Sequence, residues 1–205
     1  MKLLKNTENL SISDVYRTGV IAALWAFIEI TFGTWLHAAK MPFRGLILSI
    51  VAAGLLVFAK NILQYRGVLI MLGFITVTIK STLTGVFIIN PIIAILMESI
   101  FAEIVFIFVK PNSIGSIIAG MFVLFYTFLH SIIAQIFFFG FDILNVYVAI
   151  ISKFININVD KSTYALILLI FYMFLHLILG AMAGWLGHRV ATKTLIELEL
   201  RNESI

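Results

Sequence analysis

Long apolar runs, broken at short intervals by charge, proline or glycine, dominate this chain. About 20 apolar residues, each rising ~1.5 Å in a helix, cover the ~30 Å of hydrocarbon in a bilayer. Cutting the chain at its interruptions predicts six such helices. The first covers about 18–37. Lys40, Pro42 and Arg44 separate it from the second, about 45–63, and Gln64, Tyr65, Arg66 and Gly67 lead into a third at about 67–88. Asn90-Pro91 is a turn signal, since proline fits a first helical turn but not an interior. The fourth helix follows at about 91–109, and Lys110-Pro111-Asn112 separates it from the fifth, about 114–139. The sixth runs about 163–187. Between the last two, 140–162 carries Asp142, Asn145, Lys153, Asn156, Asn158, Asp160 and Lys161; its second half is too polar to span, and it reads as a long external loop with room for a short interfacial helix. Ser11-x-x-Asp14 resembles a capping box ahead of the first span. Residues 190–205 read as a charged extension of the last helix.

Composition strengthens this reading. Hydrophobic residues make up 62% of the 205 and charged residues 12%, against roughly 45–50% and about 25% in soluble domains. A domain of this size exposes too much surface to hide that excess in one core, whereas lipid solvates it. The absence of cysteine excludes disulfides and thiolate chemistry. A formal charge of +4 would raise nucleic acid as a partner for a soluble protein; here it fits basic residues held at the cytoplasmic ends of helices. The first apolar run is long enough to span and has no clear A-x-A site after it, so it is expected to stay as a span rather than be cleaved. Residues 1–205 are read as one transmembrane domain without an internal repeat, multi-pass in the cell membrane.

Six spans place both termini on one side. With the N-terminus inside, the internal segments hold Lys2, Lys5, Arg17, Lys60, Arg66, Lys110, Arg189, Lys193 and Arg201, and the external ones Lys40, Arg44, Lys153 and Lys161. The positive-inside rule then favours cytoplasmic termini.

Candidate chemistry lies in polar residues within the spans, where ionisable groups are costly and face a protein interior or a water-filled cavity. These are Glu29, Lys80, Glu98, Glu103, His130 and His176, with Gln135 as a neutral companion. By depth, Glu29, Lys80, Glu98, His130 and Gln135 come from four helices and could converge on the outward half. Glu103 lies deeper and His176 near mid-span. Either the charges pair internally, Lys80 with Glu29 or Glu98, or they line a pocket for a small ligand. The first external loop adds Trp35, His37, Lys40 and Arg44, which read as an interfacial anchor or as a lid with Trp35 stacking on a ring-shaped ligand. Small residues recur at helical spacing in Ala22-x-x-x-Ala26 and Gly180-x-x-x-Gly184-x-x-Gly187, a pattern that lets helices approach closely. No Walker A loop, H-E-x-x-H or G-x-S-x-G motif is present, so uphill movement of a solute would need an ion gradient or a separate ATPase.

The Ala22/Ala26 spacing, the Pro42-Phe43-Arg44-Gly45 loop, the acidic fourth helix with Glu98-Ser99 and Glu103, and the glycine-rich last helix with basic residues after it resemble the S component of energy-coupling factor vitamin transporters. The resemblance spans most of 12–193. It implies a non-enzymatic subunit without a cofactor that captures a vitamin or related micronutrient at its outer face. It also implies partnership with a transmembrane coupling subunit and two ATPases, met through Ala22 and Ala26. Glu29, Trp35, His37, Lys80, Glu98, His130 and Gln135 are the substrate-binding candidates by depth. Two other readings stay open: a structural or assembly membrane protein, and a lipid-modifying enzyme using glutamate and histidine.

Overall fold

A computed structural model describes residues 11–41, 43–85, 89–140 and 161–203. These form six helices and no strand: α1 (Ile12–Ala38), α2 (Arg44–Ile62), α3 (Val68–Thr84), α4 (Ile89–Phe108), α5 (Ser113–Phe139) and α6 (Lys161–Glu203). The polar stretch expected as an external loop falls, at 141–160, outside the described residues.

Local signals set the helix ends. Ser11 caps α1: its hydroxyl accepts from the Asp14 amide at 3.1 Å, and the Asp14 carboxylate accepts from the Ser11 amide at 3.3 Å. This reciprocal box satisfies amides that a first turn leaves unpaired, so α1 begins six residues ahead of its apolar run. Asn112 does the same for α5, accepting from the Gly115 amide at 2.8 Å. Gly85, at φ 62°, closes α3 at 17 residues, short of the expected end at 88. Pro91 sits in the first turn of α4, where its missing N–H removes no helical bond.

Successive helices run in opposite directions. Thr18 of α1 meets Tyr65 just before α3, and Glu29 further along α1 meets Lys80 further along α3, so α1 and α3 are parallel. The start of α1 and the finish of α6 therefore lie at one end of the bundle, the near end. It is the end at which the sequence places more of its basic residues.

The closest approach is between α5 and α6. A Cβ on Gly120 would strike the Gly180 carbonyl, one on Gly184 the Ser116 carbonyl, and one on Gly187 the Gly54 carbonyl of α2. Only glycine allows backbones this near. The small-residue stripe of the last helix thus serves packing inside the chain. Ala22 and Ala26 are likewise wholly buried, and the Ala22 carbonyl accepts from Thr76 of α3 at 3.3 Å. The face expected to meet a coupling subunit is the inward face of α1; its outward face carries Val20 and Phe27.

Trp25, Leu56, Leu69, Leu72, Phe106 and Leu124 fill the interior, while Phe27, Phe74, Phe108, Phe122, Phe171 and Phe174 point outward. Such an apolar exterior would drive aggregation in water and is matched by lipid. Five helices are long and apolar enough to cross a membrane, and α3 is apolar but shorter. The chain is an all-α membrane protein. At 43 residues, α6 is about 65 Å long, roughly twice the hydrocarbon thickness, and it continues past the near end. Arg189 lies over the Trp185 ring at 4.8 Å, an aromatic–cation pair suited to headgroup depth.

Candidate functional site

The polar groups fall into two tiers. Eleven residues separate Lys60 from Ser49 on α2, and eleven separate Ser116 from Thr127 on α5, about 16 Å along each axis.

The near tier is built on Glu103. Its Oε1 accepts from Lys60 Nζ at 2.6 Å and from the Gly67 amide at 2.7 Å, and its Oε2 accepts from the Leu69 amide at 3.1 Å. Gly67 holds φ 78° and no side chain of its own caps α3, so a carboxylate from α4 supplies the acceptor that the helix start requires. Lys60 also donates to the Tyr65 carbonyl at 2.8 Å. Both charged side chains are buried, Lys60 completely. Lys60 was expected among the free cytoplasmic cations; it is instead a buried partner, and the charge bias survives its removal. Beside it, Asn61 Nδ2 donates to Ser116 Oγ at 3.0 Å and to the Val57 carbonyl, and Asn61 Oδ1 lies 2.8 Å from His188 Nδ1. Asn61 Oδ1 can only accept, which makes His188 Nδ1 the donor. Thr18 and the Tyr65 hydroxyl are 2.7 Å apart. Burial pushes the Tyr65 phenol up, with the Thr18 bond opposing. Together these bonds reach all six helices.

The far tier is centred on one turn of α5. Thr127 donates to Glu98 Oε1 of α4 at 3.4 Å, and Ser49 of α2 donates to the same oxygen. Tyr126 stacks on Phe101 of α4 at 5.0 Å and lies 3.1 Å, hydroxyl to Nδ1, from His130. Phe128 packs against Tyr172 and His176 of α6 at 5.8 and 5.7 Å. Glu29 and Lys80 form an ion pair at 2.7 Å, within electrostatic reach of Glu98. The expected pairing of Lys80 is therefore with Glu29. Glu98, 3% exposed, has no cation in contact among the described residues, and its Oε2 accepts no hydrogen bond among them.

Three buried polar atoms have no hydrogen-bond partner among the described residues: His130 Nε2, His176 Nε2 and Trp25 Nε1. For His176 the chemistry is defined. Its Nδ1 lies 2.9 Å from the Tyr172 carbonyl, which can only accept, so Nδ1 carries the proton and the neutral ring leaves Nε2 as a bare acceptor. The ring is fully buried. Native interiors satisfy nearly all such groups, and both unpaired histidine nitrogens belong to this one tier.

Of the two readings of the first loop, the placement of Trp35 fits the anchor. Trp35 is 57% exposed and stacks on Phe32 along the outer face of α1 at 5.6 Å. His37 accepts from Arg44 on the surface. Phe43, in the left-handed region at φ 57°, is the loop residue that reaches the aromatic cluster, 6.0 Å from Tyr172. Gln135 is half-buried, two turns beyond Phe128. Sequence reasoning missed Ser49, Thr127, Tyr126 and Tyr172: hydroxyls are common in membrane helices and carry no spacing signal. Lys60 was missed as well, though its signal was available, since a lysine in an apolar run demands a partner. Comparison with protein-family models, with curated proteins and with solved structures found no match for this chain.

Proposed function

We propose that this chain is the solute-capturing membrane subunit of an importer of the energy-coupling factor type. In this reading it takes a vitamin or related micronutrient into its far half and draws energy from a separate coupling subunit and two ATPases. The observation that carries the reading is His176: a fully buried ring, oriented by its own helix, with Nε2 bare and aromatic rings around it. An unpaired buried acceptor costs about 1–3 kcal/mol, and a ligand donor relieves it. Coupling to a partner would use surfaces other than Ala22 and Ala26, which are internal.

The ion pair of Lys80 with Glu29 favours a rival, in which the charges only join helices of a structural subunit. The lipid-enzyme reading has less behind it: among the described residues no group of three His, Cys, Asp or Glu could hold a metal.

A thermal-shift screen of the purified protein in detergent against water-soluble vitamins separates the first two. A ligand at about 100 times its Kd adds about 2.7 kcal/mol, which for this chain length is a rise in Tm of roughly 5–10 °C. No shift with any vitamin, together with no ATPase-bearing complex on native purification, would leave the structural reading standing.

A further inference from the structure

We infer that the far tier selects a cationic, hydrogen-donating nitrogen heteroaromatic solute, recognised jointly by Glu98, His176 and the rings around Tyr126 and Phe128. The inference rests on the capture reading above and narrows it to a ligand class.

Three observations point to this class. First, the tier's only cation in contact with an anion among the described residues, Lys80, is already engaged by Glu29 at 2.7 Å, so no uncommitted positive charge is presented to an anionic solute there. Second, Glu98 is a buried carboxylate supported only by hydroxyls, with Oε2 accepting nothing among the described residues. A lone carboxylate out of water is costly until a proton or a cation meets it. Third, the free hydrogen-bonding groups are biased towards acceptors. Glu98 Oε2 and the bare Nε2 of His176 both accept. Among the buried atoms of the described residues that lack a partner, Trp25 Nε1 is a fixed donor, and His130 can serve as either through its contact with Tyr126. A ligand that fits must bring N–H groups.

The aromatic residues supply the remaining selectivity. Tyr126 on Phe101, and Phe128 against Tyr172 and His176, surround the same turn of α5 that places Thr127 on Glu98. Ring faces attract cations and stack on flat heterocycles. A flat ring carrying delocalised positive charge and an amino group meets all three conditions at once. An aliphatic ammonium meets Glu98 alone, and a carboxylate-bearing solute sets a second carboxyl against a buried one.

The test compares three small aromatic probes on the full-length protein in detergent, by thermal shift and by calorimetry: 4-aminopyridine, which is cationic at neutral pH, nicotinamide, which is neutral, and nicotinate, an anion. The vitamin screen runs alongside. The expected result is that 4-aminopyridine binds at least tenfold more tightly than the other two, and that Glu98→Gln removes this preference. The ranking of probes on the unmodified protein is an independent readout, which holds even where Glu98→Gln does not fold. If neutral or anionic vitamins bind and the cationic probe does not, the ligand class is overturned and the capture reading survives. If neither vitamins nor probes bind, both are overturned.

Discussion

The two polar tiers use the same residue types to opposite ends. In the near tier a glutamate meets a lysine and two backbone amides, and the neighbouring asparagine, serine and histidine are all paired. In the far tier a glutamate of the same helix, five residues earlier, has hydroxyls for company and an idle oxygen, and two histidines keep a bare nitrogen. A fully satisfied buried network rigidifies a core, whereas a partly satisfied one spends stability on something other than folding. The contrast separates what holds the bundle together from what it presents to a solute.

The sharpest way to break the contrast is Glu103→Ala. It strands a buried lysine and frees the amides of Gly67 and Leu69, and losing one member of such a pair costs about 3–5 kcal/mol. A fall in Tm on the order of 10 °C in detergent follows; a fall of only a degree or two would show that the near tier holds nothing together. Lys80→Met is the matched cut in the far tier. Lys80 is 18% exposed, so the pair is partly screened and the expected loss is ~1–2 kcal/mol, read by the same melting experiment. A loss equal to that of Glu103→Ala would erase the distinction between the tiers. Smallest in stability is His176→Phe. It removes an unpaired buried nitrogen and keeps the aromatic packing, so stability stays within ~1 kcal/mol of the parent or rises, while the thermal response to a bound solute disappears. Strong destabilisation instead would assign His176 to folding.

Much of this was readable from the chain alone, and for definite reasons. Six apolar runs gave six helices because lipid imposes a length and forbids unsatisfied backbone. Ser11 and Asp14 act through a local bond pattern, so their box was visible at a distance of three residues. The convergence of Glu29, Lys80 and Glu98 followed from depth, since residues at one level in different spans have few other partners to find. What depth cannot give is rotation about the helix axis. Ala22 and Ala26 show a spacing that suits any close contact, and only the assembled bundle turns them towards α3 rather than outward. The two readings of Trp35 stayed open for the same reason: rotation about the helix axis decides between a lid and an anchor on the outer face. Lys60 was counted with the basic residues of the internal segments because it lies near a helix end, whereas Glu103 of α4 reaches it inside the bundle.

The glycine seam between α5 and α6 has one further consequence, for register. A slide of one turn, about 6 Å, that set Gly184 against Gly120 would bring His188 to the place of Gly184 against the Ser116 carbonyl and Ala191 to the place of Gly187 against the Gly54 carbonyl, where a Cβ has no room. It would also part His188 from Asn61. The seam therefore admits one alignment, and with it one height at which His176 meets Phe128.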